Sequence, residues 1–192
     1  MNKILIWTLV VIATLVGGFF LLNSYIYEEK QATAAKSYKD AEFIIEGERI
    51  KLENGLAETG GISDSSSKIV TRYFGNEIKT DLNGDGLEDV AFLLIQEPGG
   101  TGAFFYAVAA IQTDRGYVGS DGYFLGDRIA PQSTNLSPNP RHKYVIVFNY
   151  AERAAGEPMT AEPSVGKSVY LKLDPESMQW GIVEPNFEGE SR

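Results

Sequence analysis

The sequence predicts a mainly β domain, an antiparallel sheet or sandwich with few short helices, preceded by one N-terminal transmembrane helix. Three observations carry this expectation. Residues 4–22, ILIWTLVVIATLVGGFFLL, run for 19 residues without a charge. The chain beyond them breaks into short apolar stretches, alternating or continuous, separated by turn signals. Glycine (20) and proline (8) are plentiful and aromatic residues make up 11% of the chain, a balance that suits strands joined by many turns.

The apolar run comes first. At ~1.5 Å per residue it makes a helix of roughly 28 Å, close to the hydrocarbon thickness of a bilayer. Trp7 near one end and Tyr25 and Tyr27 beyond the other suit the interfacial aromatic belts. The run exceeds the ~7–15 residues of a signal-peptide core, and the small-x-small site Ala32-Thr33-Ala34 lies well beyond it, so a retained anchor is expected rather than a cleaved signal. Lys3 precedes the span, whereas Glu28 and Glu29 follow it. The positive-inside rule then makes residues 1–3 a cytoplasmic tip of a single-pass protein and puts the remainder outside the cytoplasm. Residues 23–41, polar and free of glycine and proline, read as a stalk or linker, and 42–192 as the extracytoplasmic β domain.

Within that domain Ile50 and Leu52 alternate with Lys51 and Glu53, and Asn54-Gly55 follows as a hairpin turn. Three continuous apolar runs, Val90–Ile95, Phe104–Ile111 and Val145–Phe148, suit central strands covered on both faces. The alanines of the second also permit a short helix. Near the end Val169, Leu171 and Leu173 alternate with Ser168, Tyr170 and Lys172. Asp174-Pro175-Glu176-Ser177 then turns the chain into Met178, Trp180 and Ile182, the expected inward side of a partner strand.

Composition removes several functions. There are no cysteines, which excludes disulfides, thiolate nucleophiles and cysteine–zinc sites. The single histidine, His142, leaves little room for triad or imidazole-metal chemistry, and its setting between Arg141 and Lys143 reads as a loop. A net charge of -9 argues against nucleic acid as a partner. Gly99-Gly100-Thr101-Gly102 lacks the lysine of a phosphate loop and reads as a turn.

The sharpest chemical signal is Asp81-Leu82-Asn83-Gly84-Asp85-Gly86-Leu87-Glu88-Asp89. Side-chain oxygens fall at positions 1, 3, 5 and 9, with glycine at 4 and 6. Calcium takes about six to eight hard oxygen ligands, and a tight loop can turn alternate side chains toward one ion. Leu87 would offer its carbonyl, and Glu88 would face outward. The predicted ligands are Asp81, Asn83, Asp85, Leu87 and Asp89. The loop is not an EF-hand, because position 12 is Phe92 rather than a bidentate glutamate and the flank VAFLLI reads as a strand.

This stretch resembles a single FG-GAP or VCBS-type DxNGDGxxD repeat, in which a calcium loop sits between strands. Phe74-Gly75 precedes it as the family's FG pair does, and Asp89-Val90-Ala91-Phe92 follows as its apolar strand. The resemblance covers residues 74–98 and implies calcium on the same five residues. Gln96-Glu97-Pro98 stands where the family has its GAP, and one copy does not make a propeller. The strings TRYFGNE, LGDRIAP, NYAER and GEPMT also resemble small membrane-anchored envelope proteins of bacteria. That likeness implies a location and no activity.

A second group, Asp127, Arg128, Asn149, Glu152 and Arg153, could line a cleft or form structural ion pairs that pin a long loop; the latter is preferred. The functional expectation is therefore a membrane-anchored, calcium-binding module for an envelope protein or polysaccharide, rather than an enzyme. The alternative is an envelope hydrolase using carboxylates around Asp127 or Glu152. Such a hydrolase would gather those acids, with raised pKa, in a concave pocket.

Overall fold

The computed structural model describes residues 14–19, 34–60 and 68–184. Contacts divide the chain into two units, Met1–Thr33 and Ala34–Arg192. In the first, residues 14–19 are helical. The rest of the expected 4–22 anchor, and residues 23–33 of the expected stalk, lie outside the described residues. Among the described residues no helix is long and apolar enough to cross a membrane.

The second unit is mainly β, in three layers. Strands β1 (Glu42–Ile45) and β2 (Glu48–Lys51) form an antiparallel hairpin. A six-stranded antiparallel sheet follows from β3 (Leu56–Gly60), β4 (Lys68–Thr80), β5 (Asp89–Glu97), β6 (Phe104–Thr113), β7 (Gly116–Gly119) and β8 (Tyr123–Asp127). Its order is β3-β4-β5-β6-β7, with β8 also pairing β6. A four-stranded sheet, ordered β12-β11-β10-β9, is built from β9 (Ala130–Leu136), β10 (Val145–Glu152), β11 (Val165–Asp174) and β12 (Gln179–Ile182).

The continuous apolar runs explain the layering. Alternate side chains of a strand face opposite ways, so a strand with no polar alternation needs cover on both faces. Val90, Phe92 and Leu94 of β5, with Tyr106, Val108 and Ala110 of β6, pack against Phe43, Ile45, Ile50 and Leu52 of the hairpin layer. Ala91, Leu93, Ile95, Phe105, Ala107 and Ala109 face the other way, onto Ile146, Phe148 and Tyr150 of β10 and Leu171 and Leu173 of β11. Each large side chain buried this way contributes about 1.5–3 kcal/mol, which makes β5 and β6 the spine of the unit. The run at 104–111 is thus a strand and not a helix. Asn54 (φ 52°) and Gly55 (φ 81°) make the expected tight turn, in which the Glu53 N–H donates to Leu56 O at 2.8 Å.

Two details differ from the sequence expectation. Residues 34–41, read as the end of a stalk, belong to the packed unit. Ala35 exchanges backbone hydrogen bonds with Tyr117 at 2.8 and 2.7 Å, Tyr38–Asp40 form a 3-10 turn, and Ala41 is wholly buried. Met178, just before β12, and Trp180 on it pack inward as expected, but Ile182 is 63% exposed. It lies opposite Leu171 at the end of a short edge strand, beyond which no further strand pairs among the described residues.

A candidate metal loop between two core strands

Residues 81–88 connect β4 to β5, and Thr80 pairs with Asp89 at the base. The flanks are both strands, so the loop is a strand-to-strand turn. Its curl comes from its own side chains. The Asp81 carboxylate accepts the N–H groups of Asn83 (3.1 Å), Gly84 (2.6 Å) and Gly86 (3.1 Å). Asn83 Oδ1 accepts the Asp85 N–H at 2.9 Å, and Asp85 Oδ1 accepts the Leu87 N–H at 2.7 Å. These are successive Asx turns, in which a short polar side chain bonds the backbone two residues on. Gly84 (φ 89°) and Gly86 (φ 83°) adopt the left-handed conformation that such a curl demands.

Two residues bolt the loop to the core. Leu82 points down and is buried with the layer that includes Ala91 and Leu93. Asp89 is wholly buried; its Oδ2 accepts the Leu82 N–H at 2.8 Å and its Oδ1 the Gln112 N–H at 2.8 Å. Burial pushes the Asp89 carboxyl up, against those two N–H groups, and the nearby charges of Asp85 and Asp81 add to the rise. Asp81 is held below the usual carboxylate range, chiefly by the Gly84 N–H. Glu88 faces solvent, 3.8 Å from Lys79, and Leu87 is 39% exposed.

The donor chemistry fits a hard cation: three carboxylates, one amide oxygen and one main-chain carbonyl. The side chains as they stand do not converge fully. Asn83 Nδ2 donates to Asp85 Oδ2 at 2.9 Å, so an N–H occupies one face of a carboxylate that an ion would use. Among the described residues no three His, Cys, Asp or Glu side chains form a metal-ready cluster.

Of the second predicted group, three residues come together and two do not. Asp127 accepts the Ala103 N–H at 2.9 Å and pairs with Arg128 at 2.9 Å. Half-buried Arg153 donates from Nη1 to Arg128 O at 2.9 Å and from Nε to Ala161 O at 2.6 Å. Burial raises Asp127, but the hydrogen bond and charge of Arg128, with Ala103 and Arg153, outweigh it and hold the carboxyl low. Glu152 instead pairs with Lys167 on β11 at 2.7 Å. Asn149 lies in a cross-strand ladder, donating to Ser133 Oγ at 3.0 Å and accepting from Ser168 Oγ at 2.6 Å. These are pinning contacts of a loop and a sheet face, and Asp127 carries the opposite pKa shift to that of a proton donor.

His142 is half-buried, with Nδ1 2.8 Å from Ser137 Oγ and its ring edge-on to Tyr170 at 5.9 Å. Sequence reasoning missed Tyr144, whose hydroxyl lies against Gly84, and Gln112, whose N–H binds Asp89. Neither carries a local signal, because each reaches the loop through the fold. No known protein family, curated protein or solved structure matches the chain.

Proposed function

We propose that the chain is a membrane-anchored, extracytoplasmic β domain that binds calcium and acts as a binding module for an envelope protein or polysaccharide. The observation that carries the calcium reading is a DxNGDGxxD loop strung between two core strands and clamped by the wholly buried Asp89. Asp81, Asn83, Asp85, Asp89 and the Leu87 carbonyl would hold the ion. Resemblance to FG-GAP-type loops supports the same five residues. The ion would supply charge neutralisation, since the three ligand carboxylates Asp81, Asp85 and Asp89 repel one another without a counter-ion. The protein's own part is to fix the exit of β4 and the entry of β5, so that the adjoining surface keeps one shape for a partner. The charge-free run at 4–22 supports the anchor.

The test is thermal unfolding of the full chain in detergent, with chelator or with millimolar calcium. Calcium at ~100 times its dissociation constant adds about 2.7 kcal/mol, and Asp85→Ala is expected to abolish that gain. Equal melting with and without calcium overturns the reading. Recovery of the chain in the soluble fraction with Ala35 at its N-terminus overturns the anchor.

A further inference from the structure

The loop holds the dipeptide Asn83-Gly84, and Asn54-Gly55 is the other Asn-Gly pair of the chain. An asparagine before glycine is thermolabile, because no side chain shields the glycine nitrogen from the amide carbon. At Asn83 the loop treats the two reacting groups oppositely. Asn83 Oδ1 accepts the Asp85 N–H at 2.9 Å, and Nδ2 donates to Asp85 Oδ2 at 2.9 Å. The amide is thus fixed, with a donor on the oxygen where negative charge develops under attack. The attacking group is restrained instead. The Gly84 N–H donates to Asp81 Oδ1 at 2.6 Å, and a carboxylate so close favours the intact N–H over its anion. The Gly86 N–H of Asp85-Gly86 donates to Asp81 Oδ2 at 3.1 Å, so one carboxylate covers the glycine nitrogens of both dipeptides.

We propose that Asn83 is a deamidation site, held latent by the hydrogen bond from the Gly84 N–H to Asp81. When that bond opens, the Gly84 nitrogen gives its proton to a base in solvent and bonds to Asn83 Cγ. The Cγ–Nδ2 bond breaks, ammonia leaves, and a cyclic imide closes. Water then opens the imide at one of its two carbonyls, without any change of oxidation state. Attack at Cγ leaves aspartate, which replaces the loop's one amide oxygen donor by a further carboxylate. Attack at the main-chain carbonyl leaves isoaspartate, which adds a methylene to the backbone beside Gly84, where the Tyr144 hydroxyl already lies close. Neither product returns to asparagine. Asn54 is held by different groups, since the Gly55 N–H donates to a neutral carbonyl, Lys39 O, at 2.7 Å. Asp81 therefore controls one Asn-Gly pair and not the other. The reaction needs no metal, so this inference and the calcium reading fail separately.

The test keeps the full chain in detergent with chelator at mildly alkaline pH, either folded or in urea. Digestion and mass spectrometry follow the conversion of amide to acid at Asn83 and Asn54 over time. In the folded wild type Asn83 is expected to react at least about tenfold more slowly than in urea, an opening cost of about 1.4 kcal/mol. Asp81→Ala removes the acceptor and is expected to speed Asn83 about tenfold or more. Asn54 should keep its wild-type rate, and so gauges global opening. Asp81→Asn retains an oxygen for the Gly84 N–H without the charge, and its rate should fall between the two. Should Asp81→Ala speed Asn54 as well, Asp81→Asn replaces it: a faster Asn83 beside an unchanged Asn54 supports the proposal. An Asn83 that reacts as fast in the folded wild type as in urea, or no faster in the variants than in wild type, overturns it.

Discussion

The buried carboxylate of Asp89 accepts the N–H of Leu82 at 2.8 Å, joining the last residue of the candidate loop to its second. Its other oxygen takes the Gln112 N–H of β6 at the same distance. One side chain thus ties loop, β5 and β6 together. Position 9 is structural whether or not an ion is bound.

Asp89→Ala is accordingly expected to leave two N–H groups unmet at about 1–3 kcal/mol each. Asp89→Asn keeps one acceptor and should fall between Ala and wild type. Urea unfolding in chelator measures both. An alanine variant within ~0.5 kcal/mol of wild type, the range of neutral surface changes, would show that water replaces the carboxylate.

The two loop glycines should respond differently to alanine. Both have left-handed backbone, φ 89° at Gly84 and 83° at Gly86, so each substitution carries strain of about 1–3 kcal/mol. A Cβ on Gly84 would also meet the Tyr144 hydroxyl at 2.8 Å, whereas one on Gly86 meets nothing within 4 Å. Gly84→Ala is expected to be the more destabilising. Adding Tyr144→Ala should bring its cost down to that of Gly86→Ala. Equal single-variant costs in thermal melts would remove the steric part of this account.

The legible parts of the fold were those whose residues state their surroundings locally. Val90–Ile95 and Phe104–Ile111 have no polar alternation, which suits strands buried on both faces; the alanines of the second left a helix open until the fold placed it beside Val90–Ile95 as a strand. Asn54-Gly55 can reach left-handed backbone cheaply, and the hairpin turns there. β3 (LAETG) and β9 (APQSTNL) were illegible because edge strands with polar residues on both faces carry no period, and an edge tolerates Pro131. The loop divides the same way. Its oxygen spacing is written in nine consecutive residues, while its clamp by Gln112 and its contact with Tyr144 exist only once β6 and the β9–β10 connection have folded around it.

Glu77 gives the acid behaviour of the unit a local cause. Its Oε2 accepts the Tyr73 hydroxyl at 2.6 Å and the Tyr38 hydroxyl at 2.8 Å. The Tyr73 bond, helped by Tyr38, Lys79 and Lys39 and opposed by burial, holds the carboxyl below its ordinary 4.5. The folded value is the lower one, so the stabilisation is full above the unfolded pKa and is lost as pH falls through the folded pKa. Glu77→Gln should therefore melt below wild type at neutral pH, and the gap should narrow as pH falls below the ordinary glutamate range. A gap independent of pH would mean that the side chain acts by packing alone.

Arg153 tests whether the polar group near Asp127 is a pin. Its Nη1 holds Arg128 O and its Nε holds Ala161 O, so one guanidinium spans the turn before β9 and the long connection from β10 to β11. A hydrogen bond from a charged donor contributes about 1.5–3 kcal/mol. Arg153→Ala is expected to lose at least one such increment and to speed amide exchange across residues 154–164. Arg153→Lys keeps the charge but offers one compact donor group in place of a fork, so it should recover at most one of the two carbonyls. The conservative variant is the informative one. If the arginine served only by its charge beside Asp127, lysine would restore both stability and exchange protection. If it serves by spanning two carbonyls, lysine stays near alanine, and the loop loosens although the charge is intact.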